Sequence, residues 1–197
     1  MTFEKLLRKI RTRLGIRLKP RSETSKVRHM VIDYCQGYGC DIGFGGDKIK
    51  KIDCVGIDFA QPQTSTGGDK VDIACDLMNE PIPVADSTFD YVYTSHLIED
   101  FVDTTATLQL FIRILKSGGT LLLAFPDQRK YEDHCRKTGQ PLNMRHIHKD
   151  MGLEFMLDKI KKVPGINYTI LLENNCEIDY NVVIILKITK NGIAKKI

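Results

Sequence analysis

Apolar and polar positions alternate in short blocks along most of this chain. Between residues 38 and 125 the apolar blocks have the length of strands and are separated by turn residues or by helical patterns. Such alternation predicts an α/β fold with a mostly parallel sheet. The five strands predicted in this region are Tyr38–Ile42, Asp53–Asp58, Lys70–Cys75, Phe89–Thr94 and Thr120–Phe125.

The last part of the chain has a different pattern. A helix is predicted for residues 151–162, and strands are predicted for residues 168–172 and 182–188, on either side of an Asn-Asn-rich connection. Two strands joined in this way should form an antiparallel hairpin. The complete prediction is a seven-stranded, mostly parallel sheet that ends in an antiparallel hairpin, with helices on both faces.

Helical spacing is found before the first strand and between the fourth and fifth strands. Residues 1–24 are predicted to form a basic amphipathic extension, and residues 25–197 a single domain. Ser25 is expected to cap a second helix that ends at Gly37. The apolar positions that carry the two clearest stripes are Phe3, Leu6, Leu7, Ile10 and Leu14 in the extension, and Leu108, Phe111, Ile112 and Leu115 further on.

The charge of the chain is concentrated near its start. Of 29 Lys and Arg residues, ten lie in the first 30 residues, where Glu4 and Glu23 are the only acids, so the rest of the chain is mildly acidic although the net charge is +4. This distribution argues against a nucleic-acid-binding surface spread over the domain. Residues 1–20 are interpreted either as a contact with a membrane surface or polyanion, or as an added helix or unstructured tail.

A cytoplasmic location is expected. The N-terminus is charged from Glu4 onward, unlike a signal peptide, and no apolar run reaches the length of a membrane span. The six cysteines contain no CxxC pair, which favours buried, reduced thiols over a zinc site or a disulfide framework.

A glycine-rich loop follows the first predicted strand. The segment Asp41-Ile-Gly-Phe-Gly-Gly-Asp lets the backbone approach a ligand closely. A dinucleotide fingerprint would need a third glycine where Lys48 stands, which argues against a nicotinamide-dependent oxidoreductase. Asp58 and Asp76 end the next two strands at the edge where open α/β sheets bind ligands, and a carboxylate there can accept hydrogen bonds from a ribose diol.

From Cys40 to Asp127 the sequence resembles the class I S-adenosylmethionine-dependent methyltransferases. The shared motifs are D-I-G-x-G-G at residues 41–46, V-G-x-D at 55–58, a D-L…P…D-S-T-F-D block at 76–90, and L-K-P-G-G at 115–119, where Ser117 replaces the proline. The segment S-H-L-I-E-D at 95–100 is similar to the family's S-H-x-L-E-H, with Ile98 and Asp100 as the differences. The resemblance implies a Rossmann-like fold and S-adenosyl-L-methionine as cofactor. A non-catalytic binding protein with the same fold is the alternative.

The resemblance also implies a role for each matching residue. Asp41, Gly43 and Gly45 would shape the loop around the methionine and sulfonium parts of the cofactor, and Asp58 would hold the ribose. Two features depart from the family pattern: Phe44 stands where a small residue is usual, and residues 59–69 are too turn-prone for the usual helix. The remaining implied contacts are Asp76 and the backbone of Leu77 to the adenine, and Ser95 and His96 near the transferable methyl group.

A general base is needed only if the methyl acceptor must lose a proton. His146 is the preferred base and His96 the second candidate, because P-D-x-x-x-Y at 126–131 and N-x-x-H at 143–146 resemble a subgroup attached to glycan and surface-polysaccharide biosynthesis. The expected acceptor is therefore a small molecule, a sugar or glycan, or a lipid-linked intermediate. No metal is expected. The less favoured alternative is a metal site formed by His146, His148 and Asp127. Further candidates in the same region are Tyr131, His134 and Asn143.

Overall fold

The computed structural model describes residues 22–61 and 68–191. Within these ranges one sheet carries the fold, and four helices and two short 3₁₀ turns connect its strands. The elements in chain order are α1 (Glu23–Val31), a 3₁₀ turn (Ile32–Tyr34), β1 (Gly39–Ile42), β2 (Cys54–Asp58), β3 (Ile73–Ala74), β4 (Phe89–Ser95), a 3₁₀ turn (Ile98–Asp100), α2 (Thr104–Ile114), β5 (Leu115–Pro126), α3 (Gln128–Thr138), α4 (Leu153–Lys161), β6 (Ile166–Ile178) and β7 (Asn181–Lys190).

The seven strands have the order β3-β2-β1-β4-β5-β7-β6. The first five strands run parallel, and β7 pairs antiparallel with both β5 and β6. The prediction of a mostly parallel sheet that ends in an antiparallel hairpin is therefore confirmed. The strand order reverses between β1 and β4, and open α/β sheets bind ligands in the crevice beyond the carboxyl ends of such a strand pair.

Helices cover both faces of the sheet, as predicted. On one face Val27 and Val31 of α1 pack with Tyr91 and Tyr93 of β4. On the other face the apolar sides of α2 and α4 join the larger cluster of buried residues, because their buried positions recur at helical spacing. Two cores on opposite sides hold the central strands fixed, so loops at their carboxyl ends start from rigid positions.

The first helix begins and ends earlier than predicted. Ser22, not Ser25, is its N-cap, since the Ser22 hydroxyl accepts a hydrogen bond from the Ser25 amide at 3.2 Å. Helix α1 ends at Val31 and a 3₁₀ turn follows, so the predicted continuation to Gly37 is wrong. Almost all of the predicted basic extension lies outside the described residues, and the domain boundary at residue 24 stays a prediction.

The hairpin also differs from its prediction. Asn174 and Asn175 pair with β7 inside strand β6, and the turn is formed by residues 179 and 180. The two asparagines are tolerated in the strand because β6 is at the edge of the sheet, and because Asn174 Oδ1 accepts a hydrogen bond from Glu177 N where the register shifts. Strand β3 is also shorter than predicted, with only two residues.

The segments around β2 contain no helix among the residues that the structure describes there, 43–53, 59–61 and 68–72. Residues 62–67 lie outside the described residues, so the predicted lack of a helix over 59–69 stays a prediction. The loop between β1 and β2 instead covers the sheet itself, with Ile49 only 1% exposed.

All six cysteines are described and free, and Cys176 is the only one that is not fully buried. In residues 22–61 and 68–191 no helix is long and apolar enough to cross a membrane.

Candidate functional site

A cavity of about 350 Å³ lies at the carboxyl ends of β1 and β4. Its walls come from the glycine-rich loop after β1, the segment after β4, the start of α1, the helix α3 with the loop that follows it, and the β6–β7 turn. The lining residues are Ser22, Glu23, Thr24, Gly43, Phe44, Gly45, Ser95, His96, Glu99, Tyr131, Gln140, Asn143, His146 and Tyr180. The structure thus places Gly43, Gly45, Ser95, His96 and His146 around one cavity.

Asp41 holds the glycine-rich loop from inside the fold. Its side chain is fully buried, and Oδ2 accepts a hydrogen bond from Ile49 N at 2.7 Å. Burial raises the pKa of this carboxyl group to about 8, against the effect of that hydrogen bond. Gly43 and Gly45 have φ values of +69° and +56°, and a Cβ on Gly43 would stand 2.6 Å from a methyl carbon of Leu97. The loop therefore needs glycine at Gly43 for both reasons.

Asp58 supports the same loop. Its carboxylate accepts hydrogen bonds from Gly45 N at 2.8 Å and from Phe59 N at 2.7 Å, and the residue is 5% exposed. Burial raises the pKa of Asp58, although both amides favour its charged form. The carboxylate has further acceptor capacity for a ligand beside the loop, because two oxygens can accept about four hydrogen bonds.

Asp76 and Leu77 lie after β3, outside the cavity lining. The Asp76 carboxylate accepts hydrogen bonds from Met78 N and from the Asn79 side chain, while Leu77 is 5% exposed and packs in the core. Asp41 and Asp58 are also outside the lining, since both act behind the loop. The structure thus does not bring Asp41, predicted near the methionine and sulfonium, or Asp58, Asp76 and Leu77, predicted for the ribose and adenine, into the cavity lining.

The ring of Phe44 is accommodated by a glycine. A Cβ on Gly56 of β2 would stand 2.7 Å from Cε1 of this ring, so the ring lies directly on the strand backbone. Phe44 is 5% exposed although it contributes to the cavity wall. The Phe44 ring therefore occupies space above β2. Among the described residues around β2, 43–53, 59–61 and 68–72, no helix covers the strand.

Glu99 lies between two histidines at the floor of the cavity. Its carboxylate oxygen Oε1 is 3.4 Å from His96 Nδ1 and 3.6 Å from His146 Nε2. Glu99 is 1% exposed, and neither of its oxygens has a hydrogen-bond partner within the described residues. A buried carboxylate without donors is costly, so this group requires a nearby positive charge or a donor from a ligand.

His96 is a neighbour of Glu99 that carries a positive charge when it is protonated. Its Nε2 is 2.6 Å from Asn181 Oδ1, and Asn181 Nδ2 donates to Ile178 O, so Nε2 carries a hydrogen and donates to the amide oxygen. Burial opposes protonation of His96, but the Glu99 carboxylate, together with Glu23 and Asn181, outweighs it and raises the pKa. When His96 is protonated, Nε2 donates to Asn181 Oδ1 and Nδ1–H lies beside the Glu99 carboxylate, 3.4 Å from Oε1.

His146 has the opposite properties. Its Nδ1 is 2.8 Å from Gln128 Oε1, and Gln128 Nε2 donates to Glu132 Oε1 at 3.0 Å, which fixes the orientation of the amide. Since the amide oxygen can only accept, Nδ1 carries the hydrogen and Nε2 has a free lone pair. Burial lowers the pKa of His146, and His96 adds to this, against the opposing charge of Glu99. His146 is thus a neutral imidazole in a cavity wall.

The other candidates after β5 have structural contacts. The Tyr131 hydroxyl accepts a hydrogen bond from Asn143 N at 2.8 Å, and its ring packs on His146. Asp127 caps α3, and His148 Nε2 donates to Phe101 O at 2.8 Å. In the part of the chain that the structure describes, no group of three His, Cys, Asp or Glu residues could hold a metal ion.

Several residues of the cavity were missed by the sequence predictions. Glu99 had a signal, since it is the E of the S-H-x-L-E-H motif, and Gln128 directly follows the quoted Pro126-Asp127 pair. Glu23 was placed in the extension, and Tyr180 and Asn181 belong to the hairpin. No local pattern marks these last three, because only the tertiary fold brings them to His96.

These features define a class of protein. A parallel sheet with a glycine-rich loop after β1, a carboxylate at the end of β2, and an antiparallel hairpin at one edge form a Rossmann-like class I methyltransferase fold. The family model described as "Methyltransferase domain" matches residues 3–154. The chain belongs to this methyltransferase family, and it is an S-adenosylmethionine-dependent enzyme.

Solved structures agree with this fold. A SAM-dependent methyltransferase from Archaeoglobus fulgidus has a TM-score of 0.61 and 15% identity, over 94% of this chain and 100% of its own. A protein from Pyrococcus horikoshii OT3 has a TM-score of 0.62 and 16% identity, over 94% and 99%. The trans-methyltransferase CalH, solved with S-adenosylhomocysteine, has a TM-score of 0.59 and 15% identity, over 85% and 57%. Curated proteins give no sequence match.

Proposed function

We propose that the enzyme moves the methyl group of S-adenosylmethionine to a small-molecule, sugar or lipid-linked acceptor in the cavity, with His146 as the general base. The observation that carries this proposal is the hydrogen bond from His146 Nδ1 to Gln128 Oε1. It leaves Nε2 with a free lone pair on a residue of the cavity wall. A neutral imidazole with a lowered pKa is suited to accept a proton near neutral pH.

The residues present fit the cofactor. The cavity volume lies within the range of roughly 300–1,000 Å³ that ligand sites have. Two buried side-chain oxygens in its wall, Glu23 Oε2 and Ser95 Oγ, have no partner among the described residues and would favour a ligand with donors or positive charge. When bound, the cofactor supplies a methyl group on an already activated sulfonium leaving group. Asp58 is proposed to hold the ribose, and Asp76 with Leu77 the adenine.

The protein's own contribution is alignment and proton removal. His146 Nε2 would take the proton of the acceptor, and the electron pair freed on the acceptor would attack the methyl group that the cofactor would supply, with a neutral thioether as the leaving group. The adjacent Glu99 carboxylate favours the imidazolium that His146 becomes. We assign His96 a supporting role, in which it holds the Glu99 carboxylate in place beside His146. General-base catalysis of this kind contributes about 10²–10⁴-fold.

The proposal is tested with methyl-labelled S-adenosylmethionine and fractionated cell metabolites and lipids, with and without the variant His146→Asn. We expect label transfer by the native enzyme and a loss of about 10²–10⁴-fold in the variant, with unchanged affinity for S-adenosylhomocysteine in titration calorimetry. His29→Asn, on the exposed side of α1, is the matched control and should keep full transfer. Undiminished transfer by His146→Asn would show that this residue is not the base.

A further inference from the structure

The loop between α3 and α4 has an unusual distribution of side chains. Residues 139–148 turn polar side chains toward the cavity, where Gln140, Asn143 and His146 contribute to its wall. The apolar side chains of the same loop face solvent instead. The exposed apolar residues are Leu142 at 48%, Met144 at 90% and Ile147 at 46%.

A fourth exposed apolar residue lies beside this loop. Ile147 N donates to Glu99 O at 3.1 Å, and His148 Nε2 is 2.8 Å from Phe101 O, so the loop runs along the segment after β4. The next residue of that segment, Val102, is 80% exposed. We call Val102, Leu142, Met144 and Ile147 the apolar rim, because the last three are chain neighbours of the cavity-lining residues Asn143 and His146.

Large apolar side chains grouped in this way mark a surface that contacts something other than water. The rim is not a consequence of poor folding, since backbone and side-chain hydrogen bonds hold its loop on both sides. On one side Asn143 N donates to the Tyr131 hydroxyl of α3, and on the other the loop contacts Glu99. A fixed loop with its apolar side chains outward is suited to contact a partner that is itself apolar.

The charges around the apolar rim indicate which apolar partner fits. Arg145 and Lys149 are exposed in the same loop, and α3, along which the loop packs, adds further exposed cations. Asp133 pairs with Arg136, Glu132 bonds to Gln128, and Asp103 caps α2, so these three acids are engaged and Asp150 is the exposed acid of the loop itself. The exposed basic residues outside these pairs include Arg129, Lys137, Arg145 and Lys149. Apolar side chains flanked by Lys and Arg are typical of surfaces that insert into anionic lipid bilayers.

We propose that the apolar rim inserts into the surface of an anionic lipid bilayer, with the mouth of the cavity turned toward the membrane. This contact involves residues 102 and 142–147 and is separate from any contact made by residues 1–20. Insertion does not depend on methyl transfer. Its consequence for the substrate does rest on the proposed function: the acceptor would be a molecule held in the membrane, whose reactive group reaches His146 from the bilayer.

The test uses the full chain and sedimentation with vesicles. Binding is measured with vesicles of phosphatidylcholine alone and with vesicles that contain phosphatidylglycerol, for the native protein, the double variant Met144→Glu/Ile147→Glu, and the control Ile52→Glu. Ile52 is fully exposed before β2, away from the cavity. We expect the native protein and the control to bind the anionic vesicles, more weakly at high salt, and the double variant to bind about tenfold less or worse.

Each of the following outcomes would overturn the proposal. No binding to anionic vesicles, equal binding by the double variant, or no preference for the anionic lipid would each contradict it. A dimer in gel filtration that Met144→Glu converts to a monomer would show that the rim joins two copies of the chain instead. Affinity for S-adenosylhomocysteine, measured on the same samples, shows that the variants are folded and tests cofactor binding independently of the vesicles.

Discussion

His146 Nδ1 lies 2.8 Å from Gln128 Oε1, and this contact leaves the lone pair of the neutral imidazole on Nε2, which lies 3.6 Å from Glu99 Oε1. Gln128 stands at the start of α3, where the helix is capped by Asp127, and it is 6% exposed. Its amide is held from the other end by Glu132. The tautomer of His146 is therefore set by a buried side-chain amide that is anchored at the start of a helix and held by Glu132.

The first prediction concerns this contact. Gln128→Glu should raise the pKa of His146 by about one unit or more, because a carboxylate beside Nδ1 stabilises the imidazolium. The pKa is measured by NMR titration of the histidine ring protons, which needs no acceptor. Gln36→Glu, an exposed substitution after α1, is the control and should leave this titration unchanged. An unchanged pKa in Gln128→Glu would mean that Gln128 does not face Nδ1 in solution.

The second prediction concerns the pair of His96 and Glu99. The raised pKa of His96 means that the folded state holds its proton more tightly than the unfolded chain does. Its contribution to stability is therefore complete below a pH of about 6.5 and is lost as the pH rises through the folded pKa. Glu99→Gln should remove this pH dependence and lower the pKa of His96.

Urea unfolding between pH 5 and pH 9, together with the NMR titration of His96, measures both effects. Each unit by which the pKa is raised corresponds to about 1.4 kcal/mol of stability at low pH. An equal pH dependence in the native protein and in Glu99→Gln would show that Glu99 is not the group that holds the proton on His96.

The third prediction concerns Asp41, whose pKa is raised to about 8 by burial. The folded state binds a proton there that the unfolded chain releases above a pH of about 3.9, so this group lowers stability as the pH rises from 4 to 8. Asp41→Asn should remove that loss while its amide oxygen still accepts the Ile49 N–H. The native and variant stabilities should therefore diverge in favour of the variant toward pH 8.

Asp53→Asn is the matched control for Asp41→Asn, since Asp53 is exposed just before β2. The readout is the difference in unfolding free energy between variant and native protein across the pH range, which cancels the contribution of other titrating groups. A difference that stays constant from pH 4 to pH 8 would contradict the raised pKa.

The fourth prediction concerns the contact of Phe44 with Gly56. Gly56→Ala should destabilise the protein by about 1–3 kcal/mol, because its Cβ would stand 2.7 Å from the ring. In the Phe44→Ala background the same Gly56→Ala change should cost less, since the ring is then absent and only the flexible Lys48 side chain, 2.9 Å away at Cδ, has to move. Urea unfolding of the two single variants and the double variant checks this. Strict additivity of the three values would show that the two residues do not touch.

The sequence predicted the strands, the parallel direction of most of them, and the glycine-rich loop, because each of these depends on local patterns. Apolar blocks of strand length and the motif from Asp41 to Gly46 are short-range signals. The start of α1 was misplaced because Ser22 and Ser25 both satisfy the preference for an N-cap, and only the hydrogen bond between them distinguishes the two.

The charge arrangement of the site could not be predicted in the same way. Glu99 and His146 are 47 positions apart in the chain, and His96 and Asn181 are 85 apart. Which residue faces another across such a separation depends on the packing of α3 and the hairpin, which no periodicity records. His146 and His96 were both predicted as bases, but their different environments become visible only when Gln128 and Asn181 are placed beside them.

The position of the β6–β7 hairpin at the end of the chain determines when the cavity can form during synthesis. Asn181 and Tyr180, at its turn, complete the surroundings of His96, which itself has a positive φ of +53°. During synthesis the segment after β4 emerges from the ribosome about 85 residues before its partner. The cavity therefore cannot reach its final form on a nascent chain that lacks the last two strands, so a truncated translation product would carry the glycine-rich loop without a finished site.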